Sequence, residues 1–165
     1  MKLDHLEKLY VNQLKDAYSA ENQLIKAMPA LQDAATAEKL SKSLANHFQE
    51  TQGHIDRLER IFKKLDFKPG GHRCYAMEGL ITEAKEIISE DAEPHVRDAA
   101  IICAAQKIEH YEIATYGCLR SWAKLMSRDE DADLLEKTLD EEGKADKKLS
   151  ELAEQWVNAF ALQSA

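Results

Sequence analysis

A carboxylate in the middle of an apolar helix face constrains this chain more than any other feature. From Val96 to Leu125 the sequence reads as one helix. At about 100° per residue, Ile101, Ala105, Ile108, Thr115, Leu119 and Trp122 share one side of it. Within Ile108-Glu109-His110-Tyr111-Glu112-Ile113, Glu112 falls near the centre of that side and Glu109 at its margin. Desolvating an unpaired carboxylate there costs several kcal/mol or forces it neutral. Glu112 is therefore misplaced, neutral, paired with a cation or bound to metal.

The same anomaly recurs along the chain. Asp4 with Glu7 forms a capping-box pattern that opens a first helix near His5, and Pro29 marks its end at about Met28. Glu21 interrupts its stripe between Ala17 and Leu24. Thr36 caps a second helix, Ala37 to about Leu65, whose stripe of Leu40, Leu44, Phe48, Thr51, Ile55, Leu58 and Phe62 has His47 and His54 at its edge. Glu50 lies one turn before His54. Pro69-Gly70-Gly71 marks the one clear loop, and a short helix follows from about Met77 to Ser89. Glu93-Pro94 starts the long helix, and Ser127 with Glu130 opens a last one, Arg128 to Phe160. Glu142 sits on its inner side among Leu135, Thr138, Leu139, Ala145 and Leu149, with Asp146 at i+4. No strand-period segment appears. The expectation is one all-α domain over residues 1–165, an up-down-up-down four-helix bundle with an extra short helix between helices two and three.

The 165 residues suit a single core, and 32% charged with 44% hydrophobic residues suits a helix-rich domain. A net charge of −8 argues against nucleic acid or anionic lipid as partner. No apolar run reaches membrane-span length, and the N-terminus carries no signal-peptide core, so a cytoplasmic location is expected. Cys74, Cys103 and Cys118 form no C-x-x-C pair, which disfavours a zinc ribbon, an iron–sulfur cluster or a redox dithiol. Cys103 and Cys118 read as core residues, and Cys74 as a loop residue open to solvent.

Together the four long helices offer Glu21; Glu50 with His54; Glu109 with Glu112; and Glu142 with Asp146. Glu21 to Glu50 spans 29 residues and Glu112 to Glu142 spans 30, an internal repeat of a helical hairpin. Four inward glutamates repel one another in a low dielectric, and two divalent cations offset that charge. Carboxylate oxygen and imidazole nitrogen suit iron or manganese. Taken singly, each acid is more simply a helix-face residue paired with Lys or Arg; four of them in repeat order weigh against that. Glu109 reads equally as a solvated residue at the stripe margin. Surface roles are the default for His47, His72, His95 and His110, and packing roles for Tyr18, Tyr111 and Tyr116.

At this point the chain resembles the ferritin-like superfamily, in which two helices each give one Glu and two give Glu-x-x-His. Tyr18-Ser19-Ala20-Glu21-Asn22-Gln23 and Glu109-His110-Tyr111-Glu112 are similar to the first- and third-helix elements of rubrerythrin-type proteins. More closely, Asp16 to Glu21, Met77-Glu78-Gly79-Leu80-Ile81 and Ala105 to Ala114 resemble the bacterial YciF family. The resemblance implies a di-iron-type site, a link to stress responses and a homodimer. The chain departs from the superfamily pattern in two places. Helix two carries Glu50-x-x-x-His54, and helix four carries Glu142-x-x-x-Asp146 with no second histidine. The expected ligand set is Glu21, Glu50, His54, Glu109, Glu112, Glu142 and Asp146, holding two iron or manganese ions that react with O₂ or peroxide. With no rubredoxin-like segment, the expectation is either reductant from an external electron donor or chemistry by disproportionation. The rival readings are a metal-sequestering or structural stress protein without turnover, and a metal-free helical scaffold.

Overall fold

The computed structural model describes residues 3–163, and the described residues are helical apart from short connections. The elements are α1 (Leu6–Ala34), α2 (Glu38–Leu65), α3 (Tyr75–Ser89), α4 (Pro94–Leu125), α5 (Asp129–Leu152), a π-helical turn (Ala153–Val157) and α6 (Asn158–Gln163). The all-α ferritin-like bundle expected from the sequence is present.

Contacts at the two ends fix the helix directions. At one end Asp98, near the start of α4, accepts hydrogen bonds from the backbone N–H of Thr36 and Ala37, both at 2.8 Å, where α2 begins. At the other end Arg128 pairs with Glu7, and Lys64 pairs with Glu130. The helices α2 and α4 therefore run parallel, as do α1 and α5. The directions are up, down, down, up rather than alternating, because the connection holding α3 carries the chain back along the bundle before α4 starts. In that connection Gly70 and Gly71 take φ of 98° and 73°, a left-handed bend that side chains resist.

Local signals in the sequence were partly overruled. Pro29 lies inside α1, which continues to Ala34. Pro29 is exposed, whereas Met28 and Leu31 are buried, and their burial offsets a proline cost of about 3 kcal/mol. None of the three proposed side-chain caps forms at Asp4, Thr36 or Ser127. Asp4 instead binds Lys8, and the Thr36 hydroxyl donates to Asp98. At Asp4 and Thr36 a charged side-chain partner takes the place of the local cap. The last helix is interrupted at Ala153–Val157, where Val157 turns fully inward and Trp156 packs edge-on against His95. The cysteines are the reverse of expectation: Cys74 is buried, at the start of α3, while Cys103 and Cys118 are exposed. Cys74 packs beneath α3 with Met77 and Ile81, whereas α4 turns its other side inward.

Apolar residues occupy both ends of the bundle. Tyr10, Leu14, Leu58, Phe62, Leu119 and Leu135 fill one end, and Leu31, Leu40, Leu44, Ile101, Ala105 and Leu149 fill the other. Each long helix crosses a middle layer between them, where Glu21, His47, His54, Glu109, Glu112 and Glu142 are buried beside apolar residues such as Ala20, Leu24 and Ile108.

Candidate metal centre

The middle layer is polar because all four long helices turn an acid or imidazole inward at the same height. Glu21, His54, Glu112 and Glu142 are each 1% exposed or less. Two groups of donor atoms form. Glu21, His54 and Glu142 make one; His47, Glu109, Glu112 and Glu142 make the other, with the atoms of each group within 4.8 Å of one another. Glu142 belongs to both.

The two histidines are held in the same way. His54 points Nε2 outward to Glu141 Oε2 at 3.2 Å and Nδ1 inward, 2.9 Å from Glu142 Oε1 and 3.4 Å from Glu21 Oε1. His47 points Nδ1 outward to Glu50 Oε2 at 3.2 Å and Nε2 inward, 3.3 Å from Glu109 Oε1 and 3.5 Å from Glu142 Oε2. An outer carboxylate that takes one ring N–H fixes the tautomer and leaves the other nitrogen bare, the usual setting of a metal-binding imidazole. Glu141 is itself fixed by Arg57, whose Nε donates to Thr138 Oγ1 at 2.8 Å. The Tyr116 hydroxyl donates to Glu21.

The inward atoms are unpaired. Twelve buried side-chain N or O atoms among the described residues have no hydrogen-bond partner, and eight of them lie in this layer: Glu21 Oε2, His47 Nε2, His54 Nδ1, Glu109 Oε2 and both oxygens of Glu112 and of Glu142. The close His–Glu approaches above lack hydrogen-bond alignment at these atoms. Native proteins leave few such groups, so their convergence points to something that binds them.

Electrostatics agree. Burial pushes Glu109 well above the usual carboxylate range, and the Glu142 charge adds to this. Burial does the same to Glu112, helped by the charges of Glu21 and Glu142. Burial also opposes charge on His54, but Glu21 and Glu142 outweigh it and raise its pKa to about 10. Glu142 moves down because the His54 charge outweighs its burial. Without a cation, the layer takes up protons in place of one.

The structure gathers Glu21, His54, Glu109, Glu112 and Glu142 and leaves Glu50 and Asp146 outside both groups. Glu50 reaches His47, and its side chain is 45% exposed. Asp146 accepts from Gln106 Nε2 at 3.1 Å and faces His110. His47 is the main residue that the sequence reading placed wrongly: it is 6% exposed, not a surface residue. Its signal was available, since His47 and His54 are seven apart, two turns along one helix face. Glu141, Arg57 and the Tyr116 contact carried no such signal. Tyr111 instead donates to Asp16 at 2.6 Å, away from the layer, and Tyr18 donates to Glu59.

Comparison with known proteins agrees with this architecture. The Escherichia coli (strain K12) protein YciF is 43% identical over 162 residues, 98% of either chain. The crystal structure of that E. coli stress protein matches with a TM-score of 0.90 at 44% identity, covering 94% of this chain and 98% of that one. YcfI from Rhodopseudomonas palustris matches with a TM-score of 0.87 at 44% identity, over 90% and 95% of the two chains. A protein from Xanthomonas campestris pv. campestris shares the fold, with a TM-score of 0.77 at 23% identity over 95% and 97%. A family model described as a domain of unknown function, DUF892, matches residues 5–162. The chain therefore belongs to the DUF892 family, with YciF among its relatives.

Proposed function

We propose that this chain is a ferritin-like stress protein that binds two divalent ions, iron or manganese, in the middle layer of its bundle. The observation that carries the proposal is the convergence of eight unpaired buried donor atoms on one place. Oxygen and imidazole donors with four carboxylates suit hard or borderline divalent metals, and two such ions balance the carboxylate charge. Glu21, His54 and Glu142 would hold one ion, and His47, Glu109, Glu112 and Glu142 the other. In this assignment Glu50 orients His47 and Asp146 stands outside, so neither is needed as a ligand.

Two such ions, when bound, supply paired centres that can act on O₂ or peroxide. The residues around them prepare that chemistry. Glu141 and Glu50 hold the outer ring protons of His54 and His47 and so present bare nitrogens inward. Tyr116 orients Glu21. The apolar ends of the bundle exclude water and strengthen every charge interaction between them. By resemblance to its family, the protein works as a homodimer; reductant comes from an external donor, or the chemistry is a disproportionation that needs none.

Elemental analysis of protein expressed with iron and manganese tests the reading. About two metals per chain is expected, with a loss in Glu21→Ala and Glu112→Ala. A wild-type protein with no bound metal, and no rise in melting temperature when metal is added, would falsify it. Steady-state peroxide or O₂ consumption by loaded protein then separates turnover from sequestration.

A further inference from the structure

The two donor groups meet solvent differently. Around Glu21 and His54 the wall is closed, and both residues are 1% exposed or less. On the His47 side a cavity of about 250 Å³ opens between α2 and α5 and reaches His47 and Glu109. That is room for roughly eight waters. His47 Nε2 and Glu109 Oε2, from two of the buried residues that line it, are without hydrogen-bond partners. The α5 wall carries Lys144 and Lys148, and the α2 wall carries Ser43 and Asn46. Both lysines are exposed, and neither forms an ion pair among the described residues. They repel cations at the mouth. With the inner carboxylates neutralised by metal, the two lysines outnumber Glu50, the carboxylate on the α2 wall, and leave the cavity net positive, and such a cleft concentrates ions of opposite sign.

We propose that this cavity is the access route to the centre and that it admits a small anion, which meets the site at His47 and Glu109 rather than at Glu21 and His54. The inference deepens the metal-binding reading and rests on it. It assigns Lys144 and Lys148 as the residues that select the anion, acting by charge and not as ligands.

Two measurements test it. In the metal-free protein, diethyl pyrocarbonate followed by peptide mapping reads access to His47. Modification of His47 is expected, slowed about tenfold when Ala145→Trp or, from the other wall, Ser43→Phe plugs the cavity. Unchanged modification in both folded variants overturns the route. In iron-loaded protein, azide is titrated and its absorption band followed. Lys144→Glu with Lys148→Glu should weaken azide binding about tenfold at low salt with metal content unchanged. Equal azide affinity at equal metal content overturns anion selection while leaving the metal centre standing. Absence of metal from the wild type brings down the underlying reading instead, and this inference with it.

Discussion

The two histidines of the middle layer use one device in two settings. Each gives its outer nitrogen to a glutamate and turns the other toward the shared Glu142. On the His54 side that glutamate is Glu141, pinned by Arg57, which is pinned in turn by Thr138. On the His47 side it is Glu50, whose side chain is 45% exposed and which faces the open cavity. A chain of buried and part-buried hydrogen bonds fixes an imidazole closely, whereas a single half-exposed carboxylate leaves it freedom to adjust. The difference teaches that a symmetric-looking set of side chains can be rigid on one side and adjustable on the other.

The comparison breaks most completely at the residue that both groups share. Glu142→Ala should remove both ions together, seen as metal content falling toward zero while circular dichroism remains helical. Retention of one ion would show that the groups are independent. Next comes the anchor of the closed side. Arg57→Ala leaves Glu141 and Thr138 without their partner and should destabilise the protein by about 2 kcal/mol in urea titration, the buried-pair cost reduced for the partial exposure of Glu141. A cost near zero would mean that the closed side is no more rigid than the open one. Glu50→Gln should act on the open side alone, weakening one metal equivalent about tenfold in a competition titration and sparing the other. Equal weakening of both would remove the distinction.

The smallest effect is on pH dependence, and its sign is fixed. His54, raised to about 10 from an ordinary 6.5, contributes stability that is complete below 6.5 and lost as pH climbs toward 10. Glu109 and Glu112, also raised, stay protonated in the fold while the unfolded chain ionises. Both effects make the metal-free protein less stable as pH rises. Its melting temperature should fall by about 3 °C between about pH 5 and 8. Metal-loaded protein should show no such fall, and metal uptake at neutral pH should release protons from His54, Glu109 and Glu112, measurable in a weakly buffered solution. A metal-free melting temperature that rises over this range would contradict the protonated layer.

Legibility in the sequence followed periodicity. Glu21, Glu112 and Glu142 stood out because each breaks an apolar stripe, and a stripe is readable residue by residue. Glu109, at a stripe margin, read equally as solvated or inward, and the structure buries it at 3% exposure. Glu50 and Asp146 were drawn in by their spacing from His54 and Glu142, but spacing on one helix does not say which side group faces a second helix. His47 was missed for the same reason: its role depends on Glu109 and Glu142 from two other helices.

The sequence by itself determined the helices, the absence of strand periodicity and the existence of an acidic layer inside an apolar bundle, since these follow from local period and from the cost of burying charge. Tertiary structure alone decided that α2 and α4 run parallel, that α1 continues through Pro29, that Glu141 and Arg57 close one side, and that Lys144 and Lys148 stand at the mouth of the other. Those outcomes are set by contacts between residues tens of positions apart, where a charged partner or a buried side chain outweighs a local preference worth about 1 kcal/mol at a cap and about 3 kcal/mol at Pro29.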